Sequence, residues 1–318
     1  MSLQPERLAR AYAACETLAQ SHYENFPVAS RLLPRPMRPH VAAVYAFARV
    51  ADDIADEGAD PPAIRRERLR AWQVRLHQAV RAGAGDAERP VPTDASADSR
   101  EDLDDLTDLN DLNDLIVVAV GHSIRSLNLP LSLFDDLLSA FDQDITTTRY
   151  DSWSTVLDYC RRSADPVGRL VLRIAGRDDG SLDRSSDALC TALQLTNFWQ
   201  DFGRDWQAGR LYVPRSVQEA CGALEADLAG GSLTPAWVRA IDQCAAVTRD
   251  LFDHGKAVCD GVDGRLRLEL RLTWLGGRRV LDRVVERHAS LPIDRPTLGA
   301  SDVPVLLWRA VRWQGAAA

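Results

Sequence analysis

Gln194-Leu-Thr-Asn197-Phe-Trp-Gln200-Asp201-Phe-Gly-Arg204-Asp205 is the stretch whose periodicity decides the fold. At about 100° per residue, a helix gathers Gln194, Asn197, Asp201 and Asp205 into an arc of roughly 80°. The other positions are largely apolar or aromatic, so one narrow polar stripe runs along a helix that is otherwise fit for a core. Upstream, Tyr45-Ala-Phe-Ala-Arg49-Val-Ala-Asp52-Asp53-Ile-Ala-Asp56-Glu57 repeats the device. Tyr45, Arg49, Asp52 and Asp56 share an arc of roughly 60°, with Phe47, Val50 and Ile54 on the opposite side.

Either stripe read alone is compatible with a solvated polar face. Several details argue otherwise. Asp is a poorer helix former than Glu, and like charges at i, i+4 repel. The first stripe has no Lys to offset its three Asp. A hard divalent cation provides that offset. Mg²⁺ takes oxygen ligands, keeps waters, and favours one or two carboxylates together with phosphate oxygens. Two such helices facing each other are suited to hold a diphosphate through their metals, with Gln194 and Asn197 as neutral donors or ligands.

Around these stripes the chain reads as helical throughout. Helices are expected at 4–20, 37–57, 63–82, 115–127, 131–143, 153–175, 183–207, 234–260, 265–288 and 302–313, separated by Pro and Gly. Alternating βαβ units are absent, which excludes a parallel-sheet protein. The chain is expected to form one domain over 1–318. It is interrupted at 83–114 by an acidic insertion whose second half repeats Asp-Leu with Leu at 103, 106, 109, 112 and 115.

Lys and Arg number 38 against 46 Asp and Glu, giving a formal charge of −8, which excludes a general nucleic-acid binder. Six scattered Cys and six scattered His form no zinc signature, and the Cys read as reduced thiols. No apolar run is long enough to span a bilayer, and the charged N-terminus lacks the apolar core of a signal peptide. The expected location is the cytoplasm, at most peripheral to the inner membrane. No Gly-rich dinucleotide fingerprint is present, so NADPH is not expected.

The paired acidic motifs, the second continuing as Arg210-Leu-Tyr212-Val-Pro214, resemble the squalene/phytoene synthase family. Tyr159-Cys-Arg-Arg-Ser-Ala-Asp-Pro-Val-Gly168 resembles the family's other signature. The resemblance implies an all-α isoprenoid-synthase (terpenoid synthase) bundle around a central apolar cavity, with Mg²⁺ triggering loss of diphosphate. His22-Tyr23-Glu-Asn25-Phe26, Gln200 before Asp201, and the Arg-Arg-Ser-Ala phrase are similar to the bacterial HpnC branch. That branch converts presqualene diphosphate to hydroxysqualene in the hopanoid-linked route to squalene, and it implies handover with neighbouring squalene-pathway enzymes. Asp165 departs from that branch, where Asn is expected.

The resemblance implies a role for each residue. Asp52, Asp56, Asp201 and Asp205 are the expected Mg²⁺ ligands, with Asn197 as helper. Arg49 is a candidate for phosphate pairing, the alternative being an ion pair with Asp52 or Asp53. Arg210 and Tyr212 either close over the diphosphate or are structural. Tyr45 is placed to donate to the leaving group or steady a cation. His22, Tyr23, Asn25, Phe26, Gln194 and Gln200 are expected along the substrate. Phe26, Phe198, Trp199 and Phe202 are candidate cavity walls, the alternative being core packing, and Arg265, Arg267 and Arg271 are candidates for the mouth, the alternative being a solvated helix face. Two other readings remain: a head-to-head condensing enzyme that joins two prenyl diphosphates, and a non-catalytic assembly protein on the same fold.

Overall fold

The computed structural model describes residues 5–21, 32–56, 58, 60–82, 109–178 and 180–313. Among these the protein is all-α: helices and short 3₁₀ turns, with a single isolated parallel bridge between Arg149 and Leu211 in place of any strand. Two compact units are distinguished, one formed by 1–146 with 170–178 and the other by 147–169 with 179–318.

The first unit holds α1 (Pro5–Ser21), α2 (Arg38–Asp56), α3 (Pro62–Ala82), α4 (Leu109–Ser126) and α5 (Leu131–Asp144). Its core forms around Phe47 of α2, which stacks on Trp72 of α3 at 5.3 Å and meets Phe134 of α5 edge-on at 5.7 Å. The face of α2 opposite the acidic stripe is therefore the buried one. Arg65 of α3 donates to the Ala55 carbonyl at 2.9 Å, satisfying an orphan acceptor in the last turn of α2, where the acidic residues sit. Ala-rich faces let α1 lie close against α2 and α4, pinned by a buried polar cluster. Tyr12 Oη lies 2.9 Å from both His122 Nδ1 and Ser123 Oγ, and His40 Nδ1 lies 2.9 Å from Ser123 Oγ. α4 begins at Leu109, inside the stretch read as the acidic insertion; residues 83–108 lie outside the described residues.

The second unit holds α6 (Trp153–Ser163), the start of α7 (Asp165–Ile174), α8 (Asp183–Gln200), α9 (Phe202–Gln207), α10 (Arg215–Cys221), α11 (Pro235–Gly255), α12 (Val258–Gly261), α13 (Gly264–Glu286) and α14 (Asp302–Val311). Its core is the packing of α8 on α11. The Trp199 indole donates to Thr248 Oγ1 at 2.9 Å, and Gly255 admits the Leu189 backbone so closely that a Cβ would sit 2.6 Å from its nitrogen.

Three expected helices are broken. The helix expected over 153–175 stops at Ser163, because Pro166 cannot donate a backbone N–H and instead opens a new helix from Asp165. The helix expected over 183–207 bends at Asp201, and that over 234–260 ends at Gly255 before the short α12. The turn of helix α10 was not expected.

Candidate functional site

The first acidic stripe lies on α2. Arg49 bridges its two neighbours, with Nη1 3.5 Å from Asp52 and Nη2 2.6 Å from Asp53. Arg49 thus makes the ion pair that is the alternative to phosphate pairing. Asp56 is exposed one turn further on. Burial raises the Tyr45 phenol above its ordinary pKa, Arg49 pulls it back, and Asp52 and Asp53 raise it further, so Tyr45 belongs to the same electrostatic cluster. Tyr45 therefore remains an O–H donor at neutral pH.

The second stripe runs from α8 into α9. Asp201 sits at the bend, yet its N–H still reaches the Asn197 carbonyl at 2.8 Å, and the Asp205 N–H reaches the Asp201 carbonyl at 2.9 Å. The i, i+4 ladder survives, so the expected polar face is preserved. Asp201 and Asp205 side chains are only 16% and 17% exposed. Each faces an arginine. Arg295 grips Asp201 through Nε on Oδ1 and through Nη2 on Oδ2 at 3.2 Å. Arg204 approaches Asp201 at 3.9 Å, and Arg210 Nε lies 3.8 Å from Asp205. The Arg210 N–H also donates to the Asp205 carbonyl at 2.7 Å.

The segment that supplies Arg295 is fitted to the motif by two further contacts. Gln200 donates its side-chain N–H to the Pro296 carbonyl at 2.6 Å. Gly203 has no side chain, and a Cβ there would collide with the backbone carbonyls of Leu291, at 2.7 Å, and Pro292. The side-chain amide of Gln200 is therefore committed to the chain's own backbone.

The tail beyond the motif is held by backbone pairing. The Leu211 N–H donates to the Thr148 carbonyl at 3.0 Å and the Arg215 N–H to the Tyr150 carbonyl at 2.9 Å. Tyr212 consequently stacks flat on Phe198, with ring centroids 3.7 Å apart, and Tyr150 and Tyr159 complete the aromatic cluster. Of the expected wall residues among the described ones, Phe198 joins this cluster, whereas Trp199 and Phe202 are buried against Thr248 and Trp237 as core.

The Tyr159–Gly168 signature folds into the junction of α6 and α7. Gly168 admits Ser186 and Cys190 of α8 where any Cβ would clash. Asp165 is buried there, accepting a hydrogen bond from Thr191 Oγ1 at 2.8 Å. Burial pushes its carboxyl up to about 7, partly offset by that hydrogen bond. Beside it, Arg169 makes a two-pronged pair with Asp187 at 2.8 and 2.6 Å.

His22, Tyr23, Asn25 and Phe26 lie outside the described residues. Arg267 pairs with Asp263 at 2.7 Å and Arg271 with Asp260 at 3.2 Å, so both tie α13 to the preceding turn. Arg295 was missed, since no local pattern links it to a motif so far upstream. Among the described residues, no three His, Cys, Asp or Glu side chains gather as a metal cage. Each stripe supplies carboxylates in the small number that Mg²⁺ takes when phosphate oxygens complete its shell.

A squalene/phytoene synthase family model matches residues 19–308, and the chain belongs to that family. It is 34% identical over 250 residues to the hydroxysqualene synthase of Zymomonas mobilis subsp. mobilis, covering 78% of this chain and 74% of that one. It is 32% identical over 279 residues to the hydroxysqualene synthase of Rhodopseudomonas palustris, covering 85% of each. Among solved structures it is similar to squalene synthase HpnC from Alicyclobacillus acidocaldarius. That match has a TM-score of 0.72 at 36% identity, over 87% of this chain and 93% of that chain. The all-helical fold is thus that of the squalene synthases.

Proposed function

We propose that this chain converts presqualene diphosphate and water to hydroxysqualene, releasing diphosphate. The observation that carries this reading is the similarity to hydroxysqualene synthases over most of both chains. The pairing of each acidic stripe with arginines supports it from the geometry.

Asp52, Asp56, Asp201 and Asp205, helped by the Asn197 amide oxygen, are the residues that would hold Mg²⁺. The donors are all oxygen, as a hard cation requires, and the guanidinium groups beside them mark positions that favour positive charge. Bound Mg²⁺ supplies Lewis-acid neutralisation of the negative charge that develops on the departing diphosphate.

The chain's own residues do the rest. Arg49, Arg210 and Arg295 hold the carboxylates in place before substrate arrives. Their planar forks also match phosphate oxygens, so they exchange a carboxylate partner for the diphosphate. Tyr45, kept protonated by burial, donates to the leaving oxygen. The aromatic cluster of Phe198, Tyr212, Tyr150 and Tyr159 adjoins the second stripe and helps to keep water from premature attack on the carbocation.

The test is a product assay with purified protein and no NADPH. Presqualene diphosphate with Mg²⁺ is expected to yield hydroxysqualene by mass spectrometry, and EDTA is expected to abolish it. Consumption of farnesyl diphosphate instead, with presqualene diphosphate left intact, overturns the reading in favour of a condensing enzyme.

A further inference from the structure

We infer that α14 is a docking helix for the surface of an anionic phospholipid bilayer. The helix has two apolar faces. One, formed by Leu306 and Ala310 with the buried Asp302, packs on α13. Its N-terminus is sealed there, since Asp302 takes the Gly299 N–H at 2.6 Å and pairs with Arg283 at 2.8 Å and Arg279 at 3.5 Å. The other face carries Val303, Pro304, Leu307, Trp308 and Val311 over a roughly 140° arc, with Val305 to one side. The six are exposed, the five large ones by 41–75%. A soluble surface helix normally presents polar residues on that face.

Charge identifies the occupant. Arg309 and Arg312 are exposed beside the apolar arc, and Arg312 lies over the Trp308 ring at 5.6 Å. The helix has no acid on its exposed face, although the whole chain carries −8. A local cationic rim on an anionic protein, with an exposed Trp where it meets the apolar arc, is the composition of a helix lying in the headgroup layer of an anionic membrane. At ten residues α14 is too short to span a bilayer, and among the described residues no helix is long and apolar enough to cross one.

Position gives the surface a purpose. The link from Pro296, which holds Gln200, to Asp302 spans at most ~20 Å of chain. α14 is thereby tethered close to the second acidic motif. A docked helix keeps that motif near the bilayer, where a C30 isoprenoid diphosphate and its alcohol product both reside. This last step rests on the proposed function; the docking itself does not.

The experiment is sedimentation of the full chain with vesicles of phosphatidylcholine alone or mixed with phosphatidylglycerol. Binding to the anionic vesicles is expected, weakened severalfold by 0.5 M NaCl and by Arg309→Gln with Arg312→Gln. Trp308→Glu with Val311→Glu is expected to lower it at least tenfold without changing the melting temperature or turnover of detergent-dispersed presqualene diphosphate. Wild-type protein that stays in the supernatant, or variants that bind as well as wild type, overturns the proposal. So does a dimer in light scattering that the Glu variants dissolve while vesicles go unbound. Vesicle binding without conversion of presqualene diphosphate removes the functional reading and leaves the docking surface standing.

Discussion

Arg295 reaches back 94 residues along the chain to grip both carboxylate oxygens of Asp201. The guanidinium holds both oxygens of a carboxylate proposed above as a Mg²⁺ ligand. The pair is partly exposed, so it adds no more than about 1 kcal/mol to folding. Its consequence is therefore expected in Mg²⁺ use and not in stability. Arg295→Gln should raise the half-saturating Mg²⁺ concentration severalfold and lower kcat/KM about tenfold, with an unchanged melting temperature. Arg295→Lys should recover only part, since an ammonium cannot fork. Unchanged Mg²⁺ titration in Arg295→Gln would remove Arg295 from the site.

Gly203 is where the segment carrying Arg295 touches the motif. An added methyl meets backbone oxygens, which cannot rotate away. Gly203→Ala is expected to cost about 1–3 kcal/mol, the usual range for overpacking. It should also reproduce the Mg²⁺ phenotype of Arg295→Gln, because the strap is displaced. Urea unfolding and Mg²⁺ titration of the same preparation check both.

The Tyr12–His40–His122–Ser123 cluster makes the first unit acid-sensitive. Burial, reinforced by the neighbouring His122, pushes His40 down to about 4 from an ordinary 6.5. The native state keeps the ring neutral where the unfolded chain takes a proton. Stability is therefore lost as pH falls from about 6.5 toward 4, by up to about 3 kcal/mol. His40→Gln should flatten that slope, read as the difference in unfolding free energy between pH 7 and pH 5. An equally steep slope in the variant would assign it to other groups.

Asp165 works in the opposite direction. Its carboxyl is pushed up to about 7, so folding favours the protonated form and stability falls as pH rises from about 4 to 7. Arg161, Arg169, Asp187, Cys160 and Cys190 surround it from α6, α7 and α8 and act on it, or it on them, through space. Asp165→Asn preserves the acceptor for Thr191 and removes the charge. A gain on the order of 1–3 kcal/mol at pH 8, shrinking as pH falls from about 7 toward 4, is expected. A loss at pH 8 would mean that the carboxylate is needed in its ionised form.

Features with local causes were legible in the sequence. The i, i+4 spacing of Asp52 and Asp56, and of Asn197, Asp201 and Asp205, placed both stripes on helix faces that the structure preserves. α2 lies within a residue of its expected bounds, because Pro39 and the run of small residues define it locally. What was not legible depends on distant packing. The bend at Asp201 accompanies the Leu291–Pro292 backbone lying against Gly203, and the pairing of Arg295 depends on where that segment returns. Whether Trp199 and Phe202 line a cavity or pack as core was not legible for the same reason: an aromatic on a motif helix reads alike whether it faces a substrate or Thr248 and Trp237.

The most direct measurement is single-turnover conversion of presqualene diphosphate by Asp52→Asn and Asp201→Asn, each with circular dichroism and a melting curve. Both substitutions keep shape and remove one carboxylate charge, one from each acidic stripe. Loss of turnover by at least a thousandfold in both, with folding unchanged, is the expected result. Near-normal turnover in either would contradict a reaction that depends on both acidic stripes.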